Sequence, residues 1–240
     1  MTLIGRVRGI ARYPVKSMAG IATESAFLGW HGLDGDRRFG FRRTGDASGF
    51  PWLSASRLPE LLLYHPVGLE ASGGEPVPTH VRTPSGSRVE LQSGELSAEI
   101  GSRLGSGVEL MKLRHGIFDE GAISVISLST IEGIGREAGG DLDPRRFRAN
   151  ILVETEPRPF LEDGWIGGRL VFGEGDSRPA VSVTMRDERC VMINFDPDTG
   201  ERDARVMKAV VRLNNNNAGV YATVVQVGAI RVGDAVHYVS

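Results

Sequence analysis

The ten residues RRFRANILVE at positions 145–154 combine three arginines with an apolar run that follows them. The run Ile151-Leu152-Val153 contains two β-branched residues, which favour a buried strand. We therefore predict a strand over Arg146 to Glu154. Alternate side chains of a strand share one face, so Arg146, Arg148 and Asn150 would lie together. Such a polar face suits an anionic ligand, and an ordinary solvated face is the alternative.

Short segments of strand character lie on both sides of this stretch, separated by turns rich in Gly, Ser and Pro. The first begins near Leu3 and ends at Tyr13. Further strands are predicted at 21–28, 38–41, 61–64, 77–82, 88–91, 108–113, 170–172, 181–185, 219–227 and 235–239. Regularly spaced short strands are typical of a barrel or sandwich.

Helices are predicted in only three places. Two are residues 95–104 and 205–213. The third follows the capping-box pattern Ser129-Thr130-Ile131-Glu132, with Ser129 as the N-cap and an end at Gly139-Gly140. We therefore predict a mainly β protein with a few helices, of the β-barrel type.

Composition excludes several classes of protein. The chain has 240 residues, a net charge of −2 and one cysteine. One cysteine cannot form an internal disulfide, a zinc knuckle or an iron–sulfur cluster. The near-zero charge argues against a nucleic-acid partner. No apolar run reaches the roughly 18 residues that span a bilayer, and no signal peptide is apparent. We expect a cytoplasmic protein without a membrane partner.

The single cysteine, Cys190, follows Arg189, and a neighbouring guanidinium favours the reactive thiolate. Two other interpretations remain open. A lone cysteine is often a small buried hydrophobic side chain. It could also form a catalytic pair with one of five scattered histidines, although none has a recognisable setting.

Two other segments carry chemistry suited to anions. Tyr13-Pro14-Val15-Lys16-Ser17 places a cation and a hydroxyl just after a strand end, which suits a phosphate. Asp36-Arg37-Arg38 carries a second pair of cations. The sequence Asp196-Pro197-Asp198-Thr199-Gly200 predicts a turn rather than a calcium loop, because the later Glu of such a loop is missing. The run Asn214 to Asn217 predicts a loop.

Taken in order, these motifs resemble one protein family. Residues 13–17 and 36–39 resemble the N-terminal β-barrel domain that precedes a MOSC domain. Residues 147–151, 162–165, 189–190, 196–200 and 228–234 resemble the MOSC domain of molybdenum cofactor sulfurase and the mitochondrial amidoxime reducing component. The resemblance implies a MOSC N-terminal domain at 1–115 and a MOSC domain at 116–240.

The resemblance also implies a cofactor. It is the molybdenum cofactor, a pyranopterin dithiolene with a terminal phosphate. Cys190 matches the catalytic cysteine that binds molybdenum, and a soft thiolate suits a metal already held by sulfur. The implied cofactor-binding residues are Lys16, Ser17, Arg37, Arg148, Asn150, Arg189, Asn194 and Tyr221.

The implied activity is that of a molybdenum-dependent oxidoreductase which reduces N-hydroxylated small molecules. Because one cysteine cannot hold a cluster, we expect electrons from a separate protein of the ferredoxin or flavoprotein type. Two alternatives are a carrier or storage protein for the cofactor, and a sulfur carrier that uses a persulfide on Cys190.

Overall fold

The computed structural model describes residues 1–175 and 178–240. The strands are β1 (Thr2–Arg12), β2 (Ile21–Thr23), β3 (Ser25–Gly29), β4 (Gly32–Leu33), β5 (Phe39–Arg43), β6 (His65–Ser72), β7 (Glu75–Arg82), β8 (Arg88–Glu90), β9 (Val108–Lys112), β10 (Ile123–Ser127), β11 (Ile151–Glu154), β12 (Arg169–Phe172), β13 (Ala180–Glu188), β14 (Asn217–Gln226), β15 (Gly228–Arg231) and β16 (Ala235–Val239). The α-helices are α1 (Gly94–Leu104), α2 (Leu128–Ala138) and α3 (Ala204–Asn214). Short 3-10 helices cover Pro59–Leu63, Pro144–Phe147, Leu161–Trp165 and Val191–Asn194.

Seven strands form a closed barrel in the order β11-β10-β14-β13-β12-β16-β1, and β1 pairs with β11 to close it. The pair β10–β11 is parallel, and the other neighbours are antiparallel. Closure leaves no free edge. Side chains that alternate along the strands fill the interior, among them the fully buried Val125, Ile151, Val181 and Val220. The prediction of a mainly β protein of the β-barrel type is confirmed.

A second apolar core lies mainly in the first half of the chain. It contains Phe39 and Phe41 of β5, and α1 contributes Leu96 and Ile100. The strand β1 nevertheless belongs to the barrel, where it lies between β16 and β11. The barrel therefore takes one of its strands from the N-terminal end, and the division at residue 115 stays a prediction.

The predicted strand over Arg146 to Glu154 is wrong in its first half. Pro144–Phe147 is a 3-10 helix, Arg148 is left-handed with φ 51°, and only Ile151–Glu154 is a strand. Asp143 explains this start, because its side chain accepts a hydrogen bond from the Arg145 amide and Pro144 suits the first helical position. Arg146, Arg148 and Asn150 therefore do not share a strand face.

The predicted start of α2 is also wrong. The N-cap is Ser127 rather than Ser129, and its hydroxyl accepts from the Thr130 amide at 3.2 Å. Glu162, which is fully buried, accepts bonds from both the amide and the hydroxyl of Ser127. Glu162 thus makes the hydrogen bond to the N-cap residue that the capping-box pattern assigned to Glu132. Burial raises the pKa of Glu162. The predicted end at Gly139 is confirmed, with φ 94°.

Helices α1 and α3 match their predictions, and one predicted strand does not. Helices α1 and α3 begin and end within a residue of the predicted bounds. The predicted strand at 61–64 is wrong, because Pro59 at the first helical position starts a 3-10 helix there. Of the helices in the described residues, none combines the length and apolar character needed to cross a membrane.

Candidate functional site

A cavity of about 340 Å³ is lined by residues from both halves of the chain. Seven of the nine predicted site residues line it: Lys16, Ser17, Arg37, Arg148, Arg189, Cys190 and Tyr221. The other two, Asn150 and Asn194, lie outside its lining. The cavity therefore lies between residues 13–17, which follow β1, and the segment around Cys190, which follows β13.

The cavity lining carries five cations and four carboxylates, and the cations differ in whether a carboxylate pairs with them. Lys16 and Arg146 pair with carboxylates at 2.5 and 2.8 Å, respectively. Within the described residues Arg148 forms no ion pair. Its Nη1 donates to the Met18 carbonyl at 2.7 Å, and its guanidinium lies 4.3 Å from the Tyr13 ring centroid. Burial lowers the pKa of Arg148 to about 10. A cation without an ion pair at a cavity wall fits an anionic ligand.

Three lining residues hold left-handed backbone conformations that are costly for side chains other than glycine. These are Ser17 (φ 68°), Arg37 (φ 52°) and Arg148 (φ 51°), half of the six such residues found in the described ranges. Strained residues of this kind persist where surrounding bonds fix them, and they cluster at binding sites. Their convergence on one cavity supports a role for it in binding.

Behind the lining, a buried network holds Arg37. Asn150 accepts a bond from Arg37 Nη1 at 3.2 Å and one from the Ser124 amide at 3.1 Å. Its Nδ2 donates to Asp36 at 3.1 Å, and Asp36 also pairs with Arg37. Asp36 accepts from the Tyr13 amide at 2.6 Å. Asn150 therefore positions a lining residue instead of facing the cavity, and Asp36 is a residue that sequence reasoning missed.

Replacing Asp36 by Asn should destabilise the protein by about 1–3 kcal/mol. The introduced side chain would keep one oxygen to accept the bond from the Tyr13 amide. Its NH2 group, however, would face the donors of Arg37 and Asn150. The urea midpoint measures the effect. Asp141→Asn, the same change at an exposed residue, should leave the midpoint unchanged. Equal midpoints for both variants would show that the Asp36 charge does not hold this network.

Cys190 lies where β13 ends and the 3-10 helix Val191–Asn194 begins, and its side chain is exposed at the cavity. The interpretation as a buried hydrophobic side chain is therefore wrong. All five histidines belong to the described ranges, and none lines the cavity. A catalytic pair of Cys190 with a histidine thus has no support from this arrangement.

Arg189 connects segments around the cavity. Its Nε donates to the Ala218 carbonyl at 2.6 Å and its Nη1 to the Phe147 carbonyl at 2.8 Å. Its Nη2 lies 2.9 Å from Asp187 Oδ2, yet it forms no hydrogen bond with any described group. The backbone of Gly219 passes close by with φ 85°, where a Cβ would lie 3.0 Å from Nη2. Arg189 therefore holds the segments around Phe147 and Ala218 together, and its charge is paired with that of Asp187.

Asp187, a second carboxylate that sequence reasoning missed, also lines the cavity. It accepts a bond from Ser124 Oγ at 2.9 Å, and burial raises its pKa although Arg189 opposes the shift. The pKa of Tyr221 is raised by its own burial and by the nearby charge of Asp187. Asp187 had no motif of its own, and only its buried position identifies it.

The two remaining predicted features have structural contacts. Asn194 Oδ1 accepts from the Met207 amide at 2.9 Å, so it anchors the first turn of α3. The carboxylate of Asp196 accepts from the amides of Asp198 and Thr199 and pairs with Arg146. In residues 1–175 and 178–240 no group of three or more His, Cys, Asp or Glu side chains is arranged to hold a metal ion.

The closed barrel and the cavity beside Cys190 define a β-barrel protein with a pocket rich in charged side chains. The family model for the MOSC domain matches residues 112–237. This match spans more than half of the sequence, and the chain belongs to the MOSC domain family. MOSC domains are usually associated with binding of the molybdenum cofactor.

The chain is similar to solved structures, and one of them, YuaD, supports the fold. The YuaD protein from Bacillus subtilis is 18% identical, with 98% of this chain and 94% of that chain covered and a TM-score of 0.53. YiiM from Geobacillus stearothermophilus is 20% identical over 50% of this chain and 55% of that chain, with a TM-score of 0.36. A search of curated proteins found no match to the chain.

Proposed function

We propose that this cavity binds the molybdenum cofactor and that the protein reduces N-hydroxylated small molecules with electrons from a separate protein. The observation that carries the proposal is that Arg148, a half-buried cation with no ion pair among the described residues, shares one cavity of a MOSC barrel with an exposed thiol, Cys190. The cation suits a phosphate, and the thiol suits a soft metal.

The described residues fit the two ends of such a cofactor. Lys16, Ser17 and Arg148 would hold the anionic end, because ammonium, hydroxyl and guanidinium groups all donate to phosphate oxygens. Lys16 is buried and pairs with Asp119, whose side chain is 61% exposed, so a phosphate could take the place of that carboxylate beside Lys16. Arg189 lines the same cavity and would place a cation beside the ring system.

Cys190 would supply a thiolate ligand. When bound, the cofactor supplies a metal that exchanges two electrons with the substrate. Reduction of an N-hydroxy group consumes two electrons and two protons and releases one water molecule. The chain's part is to hold the cofactor, present the thiol and admit substrate and protons through the open cavity. A ferredoxin-type or flavoprotein-type partner would deliver the electrons.

The test uses protein produced in a host that makes the cofactor. We expect stoichiometric molybdenum by elemental analysis, and conversion of benzamidoxime to benzamidine with an artificial electron donor. Bound molybdenum without turnover under any donor would overturn the reductase proposal in favour of a cofactor carrier. A persulfide on Cys190 by mass spectrometry, without molybdenum, would overturn it in favour of a sulfur carrier.

A further inference from the structure

The asparagine run at 214–217 borders the segment that carries Cys190. Only Asn215 and Asn216 form the predicted loop, because Asn214 ends α3 and Asn217 begins β14. Asn215 is the left-handed cap of α3, with φ 48°. Each of the four residues is therefore placed differently, and Asn216 is the one that faces Arg189.

Asn216 holds both backbone polar groups of Arg189. Its carbonyl accepts from the Arg189 amide at 2.8 Å, and its Nδ2 donates to the Arg189 carbonyl at 3.0 Å. The same Nδ2 lies 3.3 Å from Glu188 Oε1. One side chain and one peptide group thus fix the peptide that precedes the cysteine.

This contact lies where regular structure stops. The pairing of β13 with β14 is irregular between Arg186 and Glu188, and β13 ends at Glu188. The next regular element begins at Val191. Between them, the Asn216 contacts replace the strand ladder, so they set the direction in which Cys190 leaves the barrel.

The residue type matches this task. Asn216 has φ 70°, a left-handed conformation that asparagine tolerates better than most side chains. Glycine would keep this conformation but lose the amide donor. Aspartate would keep the shape but place a second acceptor against the Arg189 carbonyl. Only asparagine combines the conformation with the donor.

We propose that Asn216 is a positioning residue that fixes the Arg189 peptide and thereby aims the Cys190 thiol into the cavity. The effect of Asn216 on a bound metal rests on the proposed function, whereas its effect on the Cys190 thiol does not. The residue touches neither substrate nor cofactor in this role, and it acts through the backbone of its neighbour.

The experiment compares Asn216→Gly and Asn216→Asp with the control Asn215→Gly in the full chain. Without cofactor, we expect the Arg189 amide to exchange hydrogen roughly 3- to 10-fold faster in both Asn216 variants, the factor for one lost hydrogen bond. Because Cys190 is the only thiol, its rate of alkylation by iodoacetamide reports the thiol directly. We expect that rate to change about threefold or more in both Asn216 variants and to stay constant in the control.

Unchanged exchange and alkylation in both variants would overturn the proposal. So would faster exchange spread over the whole barrel, which would indicate a merely structural role. In cofactor-loaded protein we expect weaker thiolate-to-molybdenum absorption at constant molybdenum content. If no variant or wild type binds molybdenum while the alkylation change is present, the proposed function fails and the positioning role stands.

Discussion

Replacing Cys190 by Ala is expected to lower kcat/KM for benzamidoxime by at least about 100-fold. Changing groups that merely support a metal ligand costs 10- to 100-fold, and losing the ligand itself should cost more. The thiolate-to-molybdenum absorption should disappear. Much of the pterin should remain bound, because in the proposed complex Lys16, Ser17 and Arg148 would hold the other end. Elemental analysis, the absorption spectrum and steady-state kinetics measure these three effects.

The fold should not suffer, because the Cys190 side chain is exposed and the change removes little packing. The thermal midpoint of the cofactor-free variant therefore serves as the control and should equal that of the wild type. Cys190→Ser separates size from chemistry, since a hydroxyl is a harder and weaker donor to this metal than a thiolate. Equal molybdenum content and identical spectra in wild type and Cys190→Ala would show that Cys190 is not the ligand.

Regularly spaced short strands predicted the barrel type, because each strand buries apolar side chains in a shared core. Ile151 and Val153 point into the barrel core, and the strand around them was predicted correctly. The residues just before that strand were not, because a strand and a 3-10 helix both accept the pattern Arg-Arg-Phe-Arg. The deciding signal was Asp143-Pro144, a cap followed by a residue suited to the first helical position.

The site was predictable only where a motif marked it. Lys16, Arg148 and Cys190 lie in motifs, and the structure brings them to one cavity. Asp36 and Asp187 lie behind or beside those residues as single buried carboxylates. Local sequence carries no sign of such roles, because each depends on partners from distant segments: Asp36 bonds a residue 114 positions away. Burial and hydrogen bonding, rather than pattern, identify them.

Arg148→Met is the second variant with a large expected effect, and it should separate binding from stability. The loss of one charge-assisted contact to phosphate should weaken cofactor binding about 10- to 100-fold. The cofactor-free protein should gain up to about 1 kcal/mol, because relief of the desolvated charge outweighs the lost hydrogen bond to the Met18 carbonyl. Arg148 has no ion pair among the described residues, and the nearby charges of Asp36 and Asp119 offset only part of the desolvation. Methionine keeps the length and the apolar contact with Tyr13.

The pH dependence of this gain follows from the pKa of Arg148, which burial lowers from its usual value to about 10. Below pH 10 the guanidinium is charged in both the folded and the unfolded chain, so the cost of burying it is present in full. This cost is relieved only as the pH rises above about 10, where the folded chain alone loses the proton. The stability difference should therefore be constant between about pH 6 and 9.

Arg146→Met provides the matched control for that experiment, since Arg146 lines the same cavity but pairs with Asp196 at 2.8 Å. Removing it leaves Asp196 without its partner, so this variant should lose stability as well as cofactor affinity. Urea denaturation of the cofactor-free proteins shows whether each variant gains or loses stability. Molybdenum content shows how far each variant loses cofactor binding. If Arg148→Met destabilises the apoprotein as much as Arg146→Met, the Arg148 charge is compensated in the fold, and the central observation for cofactor binding is lost.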